Sequence, residues 1–334
     1  MKAVYINQSY RLEYGEIDKP KPKIDEMLIR VKACALNHLD LHMLKGRFKL
    51  SLPHVPGSDV SGTIAEINGK SDLKVGQAVI INPAIPCGQC SRCKKELSCE
   101  VVNIFGYKTS GGYAEYVIAP IEQVYPKPNN LSFVEAAAFP LTFLTAYHML
   151  IGRANLQKNE SVFIWGGSGG LGSVAIQIAR YIGAKIITAV SEEASAKKIK
   201  KLGAIKVINY EKENIEQSVK RLTNSGKVDV VFESVGAKTW KTSLGILRPH
   251  GRLVIAGVTS GAIASQDLSD IYYYQQTILG SRMGTKTEFE QVLKLVQSGK
   301  LKPVIDKIFP LKEAEKALKR LAESKHFGKI VLEC

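Results

Sequence analysis

The amino-acid sequence predicts an α/β chain of two domains: a mostly β domain made of residues 1–141 and 285–334, and an inserted domain, residues 142–284, built on a parallel sheet covered by helices. Three observations carry this expectation. Residues 1–141 hold short β-type runs (27–35, 62–67, 78–81 and 114–119) punctuated by Gly and Pro, the pattern of an antiparallel, partly barrel-like domain. Residues 142–284 alternate apolar strand runs (161–165, 185–189, 206–209, 228–233, 252–256 and 277–281) with helical stretches (171–182, 196–202, 215–222 and 241–247). Continuous apolar strands of this kind suit a sheet buried on both faces. The stretch from Thr285 onward holds two helical runs and a closing strand, 329–332, and is too short to stand alone, so it is expected to return and complete the first domain.

Bulk composition narrows the classes further. With 334 residues, 45% of them apolar and 23% charged, the chain is a globular one that buries a core without disulfide staples. The N-terminal residues lack a leader's apolar run and small-residue cleavage site, and no stretch reaches the ~20 apolar residues of a membrane span. The cytoplasm is the expected compartment, with no membrane partner. The formal charge of +15 invites an anionic partner: a phosphorylated cofactor, a coenzyme A thioester or nucleic acid. Nucleic acid is the weakest of these. Many lysines fall in helical stretches such as 197–201, where they solvate a surface, and no basic patch is interleaved with stacking aromatics.

The strand run 161–165 leads into Gly166-Gly167-Ser168-Gly169-Gly170-Leu171-Gly172 and then a helix. Gly167, Gly169 and Gly172 keep the spacing of a dinucleotide-binding turn: Gly167 for the tight turn, Gly169 for the approach of the pyrophosphate, Gly172 for close packing of helix on strand. Ser168, Gly170 and Leu171 complete the phosphate cradle at the helix N-terminus, where backbone N–H groups lack partners. A merely flexible glycine loop is the plain alternative, but the strand before, the helix after and five further strands argue against it. An NAD site usually holds the ribose 2′-OH with an acidic residue ~20 residues on. Here the second strand runs out at Ala189-Val190-Ser191. Ser191 leaves room for a 2′-phosphate and Lys197 could supply its countercharge, so NADP(H) is expected over NAD(H). Glu192 and Glu193 count against this, as does the lack of a nearby Arg.

Four of the six cysteines, Cys87, Cys90, Cys93 and Cys99, fall on one short loop. Four thiolates around one ion make a closed, structural zinc site with no position left for substrate. Reduced thiols or a disulfide pair would not require such clustering. One structural zinc per chain is therefore expected.

Taken together, the glycine turn, the cysteine loop, the Gly111-Gly112-Tyr113-Ala114-Glu115-Tyr116 segment, Asp229 with Glu233-Ser234-Val235-Gly236, and the ending Phe327-Gly328-Lys329 resemble a medium-chain dehydrogenase/reductase, the superfamily of zinc alcohol dehydrogenases and quinone oxidoreductases. The resemblance covers essentially the whole chain. It implies a groES-like catalytic domain around a Rossmann domain, a small-molecule substrate, and a homodimer or homotetramer. Against that pattern, Asn37 stands where zinc alcohol dehydrogenases keep a catalytic Cys, Ser58 falls on their His and Leu141 near their second Cys. Leu39 takes the place of the proton-relaying hydroxyl. Asn37 and Leu141 are not zinc ligands, and Asn37 with Asp40 instead resembles quinone oxidoreductases and related enone or enoyl-thioester reductases. The cysteine loop has five residues between Cys93 and Cys99 where the family typically has seven.

The resemblance also implies site roles. Asn37 is either a donor near the nicotinamide or closes its own loop, and Asp40 holds that loop. Thr145 resembles a nicotinamide-contacting Thr. Ala256 and Gly257 line the nicotinamide pocket, Val235 and Gly236 border the adenosine side, Tyr210 lies near the adenine phosphate or simply packs, and Lys329 resembles a late basic residue that reaches the cofactor. The expected reaction is hydride transfer to a conjugated carbonyl without catalytic zinc. An alcohol dehydrogenase with a remodelled metal site and an NADPH-binding RNA-binding protein are the alternatives.

Overall fold

In a computed structural model of the chain, residues 1–95, 99–190, 195–223 and 225–334 are described. They form two compact units, Met1–Thr142 with Thr285–Cys334, and Phe143–Gly284. Among the described residues, no helix is long and apolar enough to cross a membrane.

The first unit opens with a hairpin, β1 (Lys2–Ile6) against β2 (Leu12–Glu16). Its main sheet is organised by β3 (Glu26–Ala35), which pairs antiparallel with β4 (Asp59–Asn68). β4 continues to β5 (Ala78–Ile81). The short strands β6 (Ala84–Ile85) and β7 (Asn103–Ile104) frame the cysteine loop. β8 (Tyr116–Pro120) pairs with the first half of β3, and β9 (Val124–Pro126) pairs with β5. Between β3 and β4 runs α1 (His38–Leu44). α2 (Phe133–Ala137) starts at Ser132, whose hydroxyl accepts from the Glu135 N–H, a reciprocal cap the sequence Ser-x-x-Glu encodes. Ala33, Ala35, Ala137, Ala138 and Val331 form a small-residue cluster in which α2 approaches the sheet closely. The main apolar core of this unit is built on Met27, Ile29, Val60, Ile81, Phe105, Tyr113 and Leu332.

α3 (Pro140–Tyr147) precedes the second unit's parallel sheet of β10 (Ser161–Ile164), β11 (Lys185–Val190), β12 (Lys206–Asn209), β13 (Val228–Glu233), β14 (Leu247–Ile255) and β15 (Thr277–Gly280). The spatial order is β12-β11-β10-β13-β14-β15. The order of strands reverses at β10 and β13, and in open α/β sheets ligands bind beyond the strand ends at such a point. The connecting helices are α4 (Gly170–Ile182), α5 (Ala196–Leu202), α6 (Ile215–Leu222), α7 (Trp240–Gly245) and α8 (Leu268–Tyr273). α4 ends at Gly183, whose φ of 87° closes the helix in the left-handed region. The return segment adds α9 (Lys286–Gln297), β16 (Ile305–Pro310), α10 (Ala314–Ala322) and β17 (Lys329–Glu333) to the first unit, where β17 joins β3 antiparallel and β16 parallel.

Three differences from the sequence reading have local causes. β16 is absent from it, because Ile305-Asp306-Lys307-Ile308 is only half apolar and only its pairing with β17 makes it a strand. β14 starts five residues before the expected 252, since Leu247 pairs with Val228 ahead of an irregularity in the ladder. By sequence the run Tyr272-Tyr273-Tyr274 reads as core or subunit contact; in the structure it is not core, since Tyr272 and Tyr273 are each 73% exposed.

Candidate active site

In the first unit, the turn from β3 into α1 brings four segments together. Asn37 caps α1, as Asn favours. Its backbone N–H donates to Asp40 Oδ2 at 2.8 Å, and the buried Tyr113 hydroxyl donates to the same oxygen at 2.8 Å. Burial pushes the Asp40 carboxyl up to about 6, partly offset by the hydrogen bonds from Asn37 and Tyr113 and by the charge of Lys329. Tyr113 also explains Gly57, whose φ is +106° and whose added Cβ would come within 2.5 Å of the Tyr113 ring. Gly57 thus lets the chain enter β4 at Asp59 beside this phenol.

Asp59, fully buried, is the hub. Asn37 Nδ2 donates to its Oδ2 at 2.9 Å and the Leu141 N–H to its Oδ1 at 2.7 Å. Lys329 Nζ, at the start of β17, donates to the Leu36 carbonyl at 2.7 Å, to Asn37 Oδ1 at 2.7 Å and to Asp59 Oδ2 at 2.9 Å. An ammonium has three N–H donors, and all three are used here. The resemblance implies that Lys329 reaches the cofactor; in this structure its three donors go to Leu36, Asn37 and Asp59. The Asn37 amide is tied into this network from both ends: its oxygen accepts from Lys329 and its nitrogen donates to Asp59.

The positions where a catalytic metal would be expected do not fit one. The Asn37 oxygen and both Asp59 oxygens already accept hydrogen bonds, Leu141 offers no side-chain donor, and Ser58 is a buried hydroxyl without a hydrogen-bond partner. His38 follows Asn37. Burial pushes its imidazole down to about 4, with His326, His42, Lys329 and Lys45 acting in the same direction.

The cysteine loop does fit a metal. The Sγ atoms of Cys87, Cys90, Cys93 and Cys99 all lie within 4.8 Å of one another, and among the described residues this is the one group of His, Cys, Asp or Glu side chains arranged to hold an ion. Cys87 and Cys93 sulfurs are 3.8 Å apart and those of Cys90 and Cys93 3.4 Å. A tetrahedron of thiolates with Zn–S bonds of about 2.3 Å has edges of about 3.8 Å. Backbone N–H groups of Glu100 and Cys93 pull the Cys90 thiol down to about 6, the direction that favours a thiolate ligand. The shortened loop between Cys93 and Cys99 therefore still converges.

In the second unit, the glycine turn joins β10 to α4, with Gly169 as the helix N-cap. The roles of its glycines differ in part from the expected ones. The left-handed residue of the turn is Gly166, with φ +65°, and not Gly167. Gly167 is required for another reason: a Cβ there would lie 2.3 Å from Thr188 Oγ1 on β11. A Cβ on Gly172 would lie 2.1 Å from the Gly166 carbonyl oxygen, so close packing rests on Gly172 as expected. A Cβ on Gly169 would meet nothing nearer than 3.5 Å, which leaves open space at the helix N-terminus beside Ser168, Gly170 and Leu171. That space and the uncapped N–H groups fit a dinucleotide pyrophosphate.

The ends of β13 and β14 are laced together on the same side of the sheet. Ser260 N–H and Oγ both donate to the Val235 carbonyl, and Ala237 N–H to the Gly261 carbonyl. Gly257 admits the Ser234 carbonyl, which an added Cβ would meet at 2.9 Å. Ala256 N–H donates to the Glu233 carbonyl. Val235, Gly236, Ala256 and Gly257 are thus neighbours. Thr145 is buried, with its hydroxyl 3.9 Å from Met283 Sδ. Tyr210 is 45% exposed past the end of β12, and Lys197 is exposed on α5. Ser191, with Glu192 and Glu193, lies outside the described residues.

Sequence reasoning missed the side chain that organises this region. Glu233, fully buried at the end of β13, accepts from Val235 N–H (2.7 Å) and Gly236 N–H (3.0 Å) on Oε1. Its Oε2 accepts from Thr239 Oγ1 (2.9 Å) and Ser243 Oγ (2.5 Å). Ser243 in turn accepts from Trp165 Nε1 at 2.7 Å. An acidic residue closing an apolar strand, followed by small and hydroxyl residues, was the available signal.

Comparison with known proteins agrees with both units. A model described as "Alcohol dehydrogenase GroES-like domain" matches residues 23–129, and one described as "Zinc-binding dehydrogenase" matches residues 170–298. The chain is 32% identical to an NAD-dependent alcohol dehydrogenase of Sulfolobus acidocaldarius, covering 99% of each. It is 31% identical to the quinone oxidoreductase of Homo sapiens, covering 95% of this chain and 92% of that one. A crystal structure of an NAD-dependent alcohol dehydrogenase superposes over 100% of both chains with a TM-score of 0.96 and 37% identity.

Proposed function

The chain belongs to the medium-chain dehydrogenase/reductase superfamily and is an oxidoreductase of the two-domain α/β kind, and from that premise we propose that it transfers hydride from NAD(P)H to a conjugated carbonyl, a quinone, enone or enoyl thioester, without a catalytic zinc. One observation carries the reading: the oxygens of Asn37 and Asp59, which could have served a metal, are engaged by Lys329, Asn37 and Leu141. An acceptor that delocalises incoming charge through its own conjugation needs no Lewis acid.

The nicotinamide, when bound, supplies the hydride. The chain's part is orientation and exclusion of water. Gly169 and the α4 N-terminus receive the pyrophosphate. The braced ends of β13 and β14 would hold the dinucleotide through Val235, Gly236, Ala256 and Gly257, and Thr145 would hold its nicotinamide. The Asn37–Asp40–Asp59–Lys329 network holds the α1 turn rigid.

The experiment is a screen of quinones, enones and enoyl thioesters with NADPH and NADH, beside alcohols with the oxidised cofactors, before and after mild chelation. Reduction of a conjugated acceptor that survives chelation, with about one zinc per chain, is expected. Alcohol oxidation lost on chelation with two zincs per chain supports the second reading, an alcohol dehydrogenase with a remodelled metal site, which the names of the Sulfolobus relative and of the superposed structure favour. Those names also favour NAD(H), against the NADP(H) preference drawn from Ser191 and Lys197; the ratio of kcat/KM for the two reduced cofactors decides. We further propose a homodimer or homotetramer, for which β15, one of the two outer strands of its sheet, offers an edge to a second copy. Ile278 on this strand is 38% exposed.

A further inference from the structure

In a parallel sheet crossed over by helices, strand starts and helix ends share one edge, and ligands bind at the opposite one. In the second unit the edge of strand starts is positive. Lys158 leads into β10, Lys185 opens β11 and Lys206 opens β12, and these strands are neighbours in the order β12-β11-β10. The ladder holds them close: Lys185 stands beside Ser161, and Lys206 beside Ile187. The last turns of α4 and α5 add Arg180, Lys200 and Lys201. Arg180 Nη1 donates to the Lys201 carbonyl at 3.3 Å, and its stem crosses Gly203, where an added Cβ would meet Arg180 Cδ at 2.6 Å. Two apolar side chains stand out among these cations, Ile205 at 65% exposure and Tyr181 at 49%.

Stability of the fold accounts for only half of these charges. Cations in a last turn favour the helix C-terminus, which covers Arg180, Lys200 and Lys201. Lys158, Lys185 and Lys206 lie on no helix, and among the described residues none of the three forms an ion pair. The acids at the same edge, Glu160 and Asp229, are taken by Arg252 and Arg248. A surface of one sign fits an anionic partner. The layout narrows which one. The strands stand about 4.8 Å apart and start close to one level, which makes a face and not a groove. A single-stranded nucleic acid is held in a groove with successive aromatics to stack its bases, and here Tyr181 is the aromatic beside an aliphatic Ile205. An exposed aliphatic side chain ringed by lysines suits anionic headgroups laid over hydrocarbon.

We propose that this edge docks the protein on an anionic bilayer surface, with the cations against phospholipid headgroups and Ile205 and Tyr181 between headgroups and acyl chains. The opposite end of the same strands stays free for the dinucleotide. The expectation of no membrane partner rested on the lack of a spanning stretch, and a surface contact needs no span.

The test is co-sedimentation of the full chain with vesicles of phosphatidylcholine alone and with about one third phosphatidylserine. Binding to the mixed vesicles only, lost when salt rises from ~0.1 M to ~0.5 M, is expected. Replacing Lys158, Lys185 and Lys206 together by Gln should weaken it about a hundredfold, at about fivefold per lysine. The same charge change at Lys21, Lys23 and Lys74, exposed lysines of the first unit, should leave binding at the wild-type value. Tryptophan emission of Ile205→Trp should shift to the blue on mixed vesicles, beyond any shift of wild type. Equal weakening by the two triple variants would assign binding to net charge and overturn the proposal, as would an Ile205→Trp emission that does not move. Tighter binding to a single-stranded RNA than to mixed vesicles at equal phosphate, lost on the first triple substitution, would give the edge to nucleic acid instead. Should that triple variant not fold, the Ile205→Trp shift and its reversal by salt decide alone. No measurement here uses a substrate, so the result stands apart from the conjugated-acceptor reading.

Discussion

The Tyr113 hydroxyl and the Asp40 carboxylate, 73 residues apart, meet in a 2.8 Å hydrogen bond inside the first unit's core, and the Asp40 Oδ1 atom beside it has no partner. Burial raises Asp40 to about 6, above its ordinary 3.8. Two residues before it, burial lowers His38 to about 4 from 6.5. The two groups therefore bias acid stability in opposite senses. A carboxyl raised on folding adds stability below its unfolded pKa and loses it as pH rises through about 6. An imidazole lowered on folding adds stability above about 6.5 and loses it as pH falls through about 4.

Single substitutions should unmask each bias. Relative to wild type, Asp40→Asn is expected to gain about 3 kcal/mol between about pH 4 and about pH 7, since Asn mimics the protonated acid and still accepts from Asn37 and Tyr113. His38→Gln is expected to gain relative to wild type in the other direction, as pH falls from about 6.5 to about 4. Denaturant midpoints across that range measure both. Differences from wild type that stay flat with pH would refute the assignment.

The glycine turn offers a clean separation of folding from ligand binding. Gly172→Ala puts a Cβ 2.1 Å from a backbone oxygen and should lower the melting temperature or prevent folding. Gly169→Ala meets nothing closer than 3.5 Å, so it should fold like wild type. Its cost falls on the pyrophosphate, and a loss of at least about tenfold in NAD(P)H affinity is expected, equivalent to about 1.4 kcal/mol. Calorimetric titration with each reduced cofactor checks this. Unchanged affinity in Gly169→Ala would remove the phosphate from that position.

Zinc at the cysteine loop should be structural. Cys93→Ser is expected to drop metal content from about one zinc per chain toward zero and to increase proteolysis within residues 87–99. The reduction of a conjugated acceptor by the surviving protein should keep its kcat. A kcat that falls in proportion to zinc content would make the ion part of the chemistry.

Glu233 ties Trp165, just ahead of the glycine turn, to the Val235–Gly236 turn through Ser243. Ser243→Ala leaves the Trp165 Nε1–H and one Glu233 oxygen each short of a partner, at a cost of about 1–3 kcal/mol. It should raise KM for the dinucleotide more than it lowers kcat, and shift tryptophan emission. Emission and KM that both stay at wild-type values would show the relay to be idle.

How much of this was legible in the sequence depends on how far apart the partners are. Strand periodicity, the glycine spacing and the four cysteines are each written within a few dozen residues, and those readings located the parallel sheet, its turn and the thiolate cluster. β16 was illegible because its strand character comes from β17. The division of labour between Gly166 and Gly167 was illegible because Thr188, on the next strand, decides it. Glu233 was visible as a residue but not as a buried one, since burial is a property of the packed neighbours.

What the sequence determined by itself is therefore local: the α/β pattern, a dinucleotide turn and a set of soft ligands on one loop. What only tertiary structure decided is where the charges went. Lys329 follows a Phe-Gly pair near the chain's end, and only the resemblance gives it a role, that of reaching the cofactor. Folding carries it 292 residues back to Asn37 and 270 back to Asp59. The physical reason is that a buried carboxylate must find its countercharge wherever the sheet's register delivers one, and register between β3, β4 and β17 is fixed by the whole sheet and not by any segment of it.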